Sequence, residues 1–274
     1  MSKIAFIGGG NMAAAIIGGL VRQGDIQPDL IQVSDPNLEQ REALSQQYGV
    51  STASDNLEAI HAADVVIMAV KPQMMKEVLL PLKATLAEHQ PLLVSIAAGI
   101  SLNSLENWSG CQNRVRCMPN TPALLAEGAT GLVASDSVSM DQKNQADQLL
   151  KATGITVWLK NEAEIDAVTA LSGSGPAYYF LMMESMITAG QKLGLSAETA
   201  TQLTIQTALG AGRMASESDV GPHELRRRVT SPGGTTQRAV ETFVEGELPE
   251  LVEKAMVAAR DRAVELDILL SDAN

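Results

Sequence analysis

Aromatic residues are scarce in this chain, at 3% of 274 residues, and only three histidines and two cysteines add to its reactive side chains. With so few rings, Ala and the 12 Met residues must supply much of the packing, which suits close-packed helices. Cys111 and Cys117 are too few and too close for a disulfide framework and do not form C-x-x-C, so a reduced, intracellular compartment is expected. Positive charge is in deficit: a net charge of −12 argues against the basic face that a nucleic-acid backbone requires. The densest basic run, Arg226-Arg227-Arg228, is expected on a solvated or partner-facing surface. No apolar run approaches the ~20 residues needed to cross a bilayer. Met1-Ser2-Lys3 leads straight into an apolar strand, with no signal-peptide core. The expected location is therefore the cytoplasm, with no nucleic-acid or membrane partner. His61, His89 and His223 lie outside the glycine-rich motifs, and no His/Cys/Asp cluster has metal-ligand spacing, so no metal is expected.

What is present is an alternating pattern. Residues 3–7 (KIAFI), 30–34 (LIQVS), 64–70 (DVVIMAV) and 91–97 (PLLVSIA) read as short buried strands, with further extended pieces at 49–52, 114–118, 129–134 and 156–159. An Ala-rich helix is expected over 11–23 and a polar one over 38–48. This spacing predicts βαβ units and a mostly parallel sheet covered by helices on both faces. After about Asn161 the pattern turns helical. Ser174 is expected to cap a helix running to Leu193, Ser196 to start a second, Pro222 a short third and Pro249 a long last one. The expectation is an α/β Rossmann domain over residues 1–161 and an all-α domain over 162–274. Glu162, Glu164 and Asp166 are read as solvated helix-start charges.

The first strand runs directly into Gly8-Gly9-Gly10-Asn11-Met12-Ala13, a G-x-G-x-x-A between a strand and a helix. Gly8 permits the tight turn, Gly10 lets the backbone approach a pyrophosphate, and Ala13 lets the helix pack close. The helix start then offers free N–H groups to phosphate. The second strand ends at Ser34-Asp35. Asp35 either binds the adenine ribose, favouring NAD(H), or merely starts a turn; Ser34 and Asn56 are able to donate to a 2′-phosphate, so NAD(H) and NADP(H) both stay open.

Four later segments narrow the reading: Ala69-Val70-Lys71-Pro72, Met118-Pro119-Asn120-Thr121-Pro122, Leu171-Ser172-Gly173-Ser174-Gly175-Pro176-Ala177-Tyr178, and Val229-Thr230-Ser231-Pro232-Gly233-Gly234-Thr235-Thr236. With the glycine fingerprint they resemble pyrroline-5-carboxylate reductases from the first strand to the last helix. The resemblance implies hydride transfer from NAD(P)H to 1-pyrroline-5-carboxylate, giving L-proline, the last step of proline biosynthesis. It implies an N-terminal Rossmann domain and a helical domain that pairs with a second copy, the homodimers assembling further in some members, for instance as decamers. Cofactor contacts are then expected at Ile7, Gly8, Gly9, Gly10, Asn11, Met12, Ser34, Asn56, Ala69, Val70, Lys71 and Pro72, with Ser95, Ile96 and Ala97 near the nicotinamide. Substrate contacts are expected at Ser231, Gly233, Gly234, Thr235 and Thr236. The Gly234 and Thr235 amides would hold the carboxylate, and the catalytic Thr236 hydroxyl would bond the ring nitrogen.

Alternative readings are a 3-hydroxyacid dehydrogenase-like oxidoreductase and a non-catalytic NAD(P)-binding regulator. The first uses a lysine on the helix after a Gly-rich segment, and no Lys follows Gly175 before Lys192. The second has no need of the SPGGTT cradle.

Overall fold

The computed structural model describes residues 2–24 and 26–271. Eight strands form one sheet: β1 Ile4–Ile7, β2 Ile31–Ser34, β3 Ser51–Ala53, β4 Val65–Met68, β5 Leu92–Ser95, β6 Arg114–Met118, β7 Gly128–Ala134 and β8 Gly154–Trp158. Their order is β3-β2-β1-β4-β5-β6-β7-β8, and every neighbouring pair is parallel except β6 with β7. The expected strands are all present, 114–118 with the expected bounds and the others trimmed or shifted by one to three residues. The first unit's helices are α1 Asn11–Gln23, α2 Leu38–Tyr48, α3 Asn56–Ile60, α4 Met75–Leu79, α5 Lys83–His89, α6 Leu102–Ser109, α7 Met140–Lys151 and α8 Ala163–Val168.

Alternation along the strands builds a core on each face of the sheet. Ile4 and Phe6 point to the side of Ile16, Ile17 and Leu20 of α1 and Leu149 and Leu150 of α7. Ala5 and Ile7 point to the side of Met75, Leu79, Leu86, Leu105 and Trp108. Each fully buried Ile, Leu, Phe or Met side chain among them contributes roughly 1.5–3 kcal/mol. The order reverses direction at β1, which pairs with β2 on one side and β4 on the other. The loops leaving β1 and β4 therefore meet at a switch point, where open α/β sheets bind ligands.

The remaining helices are α9 Gly175–Lys192, α10 Ala197–Glu217, α11 Pro222–Arg228, α12 Thr235–Glu245 and α13 Leu248–Ser271. Two compact units result: Met1–Ser174 with Ala258–Asn274, and Gly175–Val257. Ser196 caps α10 by accepting the Thr199 amide at 3.1 Å, as its position predicts. Ser174 behaves differently. It is helical (φ −85°, ψ −18°) and donates its amide to Thr169 O, closing a π turn over Thr169–Gly173. It is therefore no cap. The wider turn brings the Ser172 carbonyl to Asn120 Nδ2 at 3.0 Å and sets Gly173 against Met118, so two of the quoted motifs brace each other. Arg227 and Arg228 are exposed and paired with Glu224. Among the described residues no helix is long and apolar enough to cross a membrane.

Candidate active site

Gly8 has φ +99°, and a Cβ there would lie 2.7 Å from Ala69 O, so only glycine fits. Its amide donates to Ser34 O at 2.8 Å, tying the loop to β2. Gly10, the residue before α1, is opposite in character. A Cβ on it would meet nothing within 4 Å, and no side chain caps the helix. An exposed backbone beside uncapped amides and open space fits a dinucleotide's pyrophosphate. Asn11 is exposed at this helix start, and Met12 is half-buried.

Asp35 turns inward to the loop. Its Oδ2 accepts the Gly9 amide at 2.8 Å and its Oδ1 the Asn37 amide at 2.8 Å. The carboxylate thus braces the glycine turn and the next one. Ser34, 1% exposed, donates to Asn56 Oδ1 at 2.6 Å. Sequence reading missed Arg41, whose Nη1 donates to Asp35 O at 2.6 Å, setting a guanidinium at the end of β2. Its signal was an arginine in the first turn of the helix that follows Asp35.

Ala69, Val70, Lys71 and Pro72 follow β4 at the carboxyl edge of the sheet. Lys71 is extended (φ −59°, ψ 144°), as a residue before proline must be. The Ala69 amide donates to Ile7 O at 2.8 Å and the Ile96 amide to Met68 O at 3.2 Å, so loops 8–10, 69–72 and 95–97 line one edge. Ser95 and Ala97 are buried and Ile96 half-buried. The thiols take no part: burial pushes Cys111 up to about 11 and raises Cys117 further.

Beside this edge lies a cluster that overturns the solvated reading of two helix-start charges. Arg116 is 2% exposed, with Nη1 2.9 Å from Glu162 Oε1 and Nη2 3.7 Å from Asp166 Oδ1. Glu164, also half-buried, accepts the Lys160 amide at 3.0 Å. A buried guanidinium on β6 needs counter-charge, and Glu162 and Asp166 supply it. Burial raises the Asp166 carboxyl; Arg116 opposes the rise, and Asp267 and Glu162 add to it. The folded state thus holds this proton more tightly than the unfolded chain. The stabilisation is complete below the usual carboxylate range and is lost as pH rises through the raised value. Asp166→Asn should therefore melt above wild type at pH 7, the gap closing near pH 4. Thermal melts across that range check it, and a lower melting point at pH 7 refutes it.

In the second unit, loop 231–234 turns through Gly233 (φ +71°) into α12, with Gly234 as its uncapped flanking residue. The Gly234 amide is taken by Ser231 O at 3.0 Å and the Gly233 amide by Gln237 Oε1 at 2.7 Å. The open amides therefore lie one residue later than expected. Among the described residues, the Thr235 and Thr236 amides have no acceptor. Both threonines, Ser231 and Gly233 are exposed and Gly234 is half-buried. Large apolar side chains also face solvent here, among them Phe180, Leu181, Leu193 and Leu209, the last 63% exposed.

The model of the family described as pyrroline-5-carboxylate reductase dimerisation matches residues 162–266. That of NADP oxidoreductase coenzyme F420-dependent matches residues 3–99. The pyrroline-5-carboxylate reductase of Pseudomonas aeruginosa is 56% identical over 266 residues, 96% of each chain. The chain belongs to the pyrroline-5-carboxylate reductase family. The solved reductase from Coxiella burnetii superposes with a TM-score of 0.93 at 46% identity, covering 97% of this chain and 98% of that one. The Plasmodium falciparum enzyme, solved with NADP bound, gives 0.84 at 30% identity over 97% and 98%. This reductase is accordingly an NAD(P)H-dependent oxidoreductase of proline biosynthesis, acting on 1-pyrroline-5-carboxylate through a nicotinamide cofactor and carrying an oligomerising helical region.

Proposed function

We propose that hydride transfer from NAD(P)H to 1-pyrroline-5-carboxylate is organised by two helix starts, α1 for the dinucleotide and α12 for the imino acid. The uncapped, exposed start of α12 carries this reading. The Thr235 and Thr236 amides hold the substrate carboxylate, and the Thr236 hydroxyl bonds the ring nitrogen. Ser231, Gly233 and Gly234 shape the loop. At α1, Ile7, Gly8, Gly9, Gly10, Asn11 and Met12 present backbone to the diphosphate. Ser34 and Asn56, with Arg41 beside them, take the adenine ribose. Asp35 is directed at the Gly9 and Asn37 amides, and the Arg41 guanidinium at the end of β2 offers a cation to a 2′-phosphate; we assign NADP(H) as the preferred cofactor. Loops 69–72 and 95–97 flank the nicotinamide. When bound, the cofactor supplies the hydride. The substrate brings its own proton as an iminium, so the chain's residues position and exclude water, and no step is assigned to a metal. The functional boundary lies at 161/162, the apolar helices after it form a homodimer whose further association includes a decamer, and the site of action is the cytoplasm.

Steady-state assays with NADH and NADPH side by side test the reading. Thr236→Ala should keep cofactor affinity and raise KM for the imine by the worth of a hydrogen bond to a charged group, roughly 1.5–3 kcal/mol. Unchanged kinetics remove Thr236 from the site.

A further inference from the structure

Each peptide of the glycine turn is tethered. The Gly8 amide is fixed on Ser34 O and the Gly9 amide on Asp35 Oδ2, both at 2.8 Å. The Gly10 carbonyl accepts the Ala14 amide at 2.9 Å as α1 begins. The peptide between them, Gly9–Gly10, is held from another helix. Gln40 Nε2, in the first turn of α2, donates to the Gly9 carbonyl at 2.5 Å, across 31 residues of sequence. Leu44, one turn further along α2 and 2% exposed, packs behind it. A Cβ built on Gly9 would lie 2.8 Å from Leu44 Cδ1 and 3.3 Å from Gln40 Cγ, so helix and turn are closed on each other.

The Gly9–Gly10 peptide needs a tether more than its neighbours do. Its rotation changes only ψ of Gly9 and φ of Gly10, and glycine adopts either sign of φ about as readily. The two orientations of this peptide are therefore both open to the pair of glycines, and Gln40 selects one. The peptide is trans, so drawing its carbonyl towards α2 turns the Gly10 N–H away from α2. Among the described residues that N–H has no acceptor. Gly10 is also exposed, with nothing within 4 Å of a Cβ. Turned over, the same peptide would present a carbonyl oxygen where the N–H now points, and that oxygen repels a phosphate. Stability does not require the bond: Leu44 already packs α2 on the turn, and Asp35 already ties the turn to the end of β2.

We propose that Gln40 is a positioning residue for the dinucleotide: it holds the Gly9–Gly10 peptide with the N–H turned to the diphosphate and the carbonyl turned away. The proposal rests on the placing of the diphosphate at the start of α1 in the proposed function. Gln40 is assigned no contact with the cofactor. It acts through the Gly9 carbonyl alone.

Three variants test it, each measured for kcat, for melting temperature and for affinity to NADPH and to 2′-AMP, a probe with the 2′-phosphate but no diphosphate. Gln40→Met keeps the stem over Gly9 and removes the donor. NADPH should bind about tenfold more weakly, the scale of one hydrogen bond to a charged group, with 2′-AMP affinity and melting temperature unchanged. At saturating NADPH kcat should stay near wild type, because a bond made equally in ground and transition states shows in KM. Gln40→Glu sets a carboxylate oxygen against the Gly9 carbonyl, and relative to 2′-AMP should bind NADPH more weakly still. Gln40→Lys restores a donor and should recover the wild-type ratio of NADPH to 2′-AMP affinity. Unchanged NADPH affinity in the methionine and glutamate variants, an equal loss of both ligands, or a lysine variant with a ratio no better than methionine overturns the proposal. Gly10→Val separates the two levels. If it leaves NADPH binding intact, the diphosphate is not at the start of α1 and the underlying reading fails. If it abolishes NADPH binding while the Gln40 variants are normal, only the positioning role fails.

Discussion

Arg116→Met should destabilise the protein by about 3–5 kcal/mol at pH 7, the scale for removing one partner from a buried ion pair. Arg116 is 2% exposed and is the shared counter-charge of Glu162, Asp166 and Asp267. Methionine fills much of the volume but leaves three carboxylates facing one another in a partly desolvated space. Their relief is protonation, so the loss should be largest above neutrality and shrink as pH falls towards 4. Arg116→Lys keeps a charge but not the planar fork that reaches two partners at once, and should fall between the two. Denaturant unfolding at pH 4.5 and pH 7.5 measures all three. An Arg116→Met protein within about 1 kcal/mol of wild type at pH 7.5 would show that the cluster is not held by its arginine.

Gly10→Val should do the opposite, sparing the fold and abolishing function. Gly10 has φ −65° and ψ −177°, ordinary for any residue, and a Cβ there meets no protein atom within 4 Å. The apo protein should therefore melt within a degree or two of wild type. The free space is where the diphosphate must approach the backbone, and a branched side chain occupies it. NADPH affinity should fall at least about 100-fold, which is about 2.7 kcal/mol, and the rise in melting temperature that saturating NADPH brings should vanish. Fluorescence titration of NADPH together with paired melts checks both halves. Gly8→Ala makes the contrast: its Cβ meets the Ala69 carbonyl at 2.7 Å, so there the fold itself must shift. Tight NADPH binding by Gly10→Val would remove the α1 start as the diphosphate site.

Much of this was legible before any coordinates. The helices at 11–23 and 38–48 lie where expected, and α10 starts at Ser196 as its capping serine indicates. These are local facts, set by apolar period, by a capping serine or by glycine and proline. The glycine fingerprint and the SPGGTT turn were legible for the same reason, since backbone geometry decides both. Ser174 was misread because a π turn depends on what packs around it, here Asn120 on the Ser172 carbonyl and Met118 on Gly173. The Gly234 amide was misassigned because nothing in the sequence says that Ser231 O reaches it first.

Sequence alone determined the family and the order of strands and helices, because each is written in residues a few positions apart. Tertiary structure alone decided what charges do. Arg116, Glu162, Asp166 and Asp267 are up to 151 residues apart in the chain, and Glu162 and Asp166 taken singly read as solvated. Asp35 reads equally well as a ribose ligand or a turn residue, and only the fold shows that it accepts the Gly9 and Asn37 amides. A charged side chain's state is set by whatever folding brings beside it and by how much water remains, and neither is a property of its neighbours in sequence.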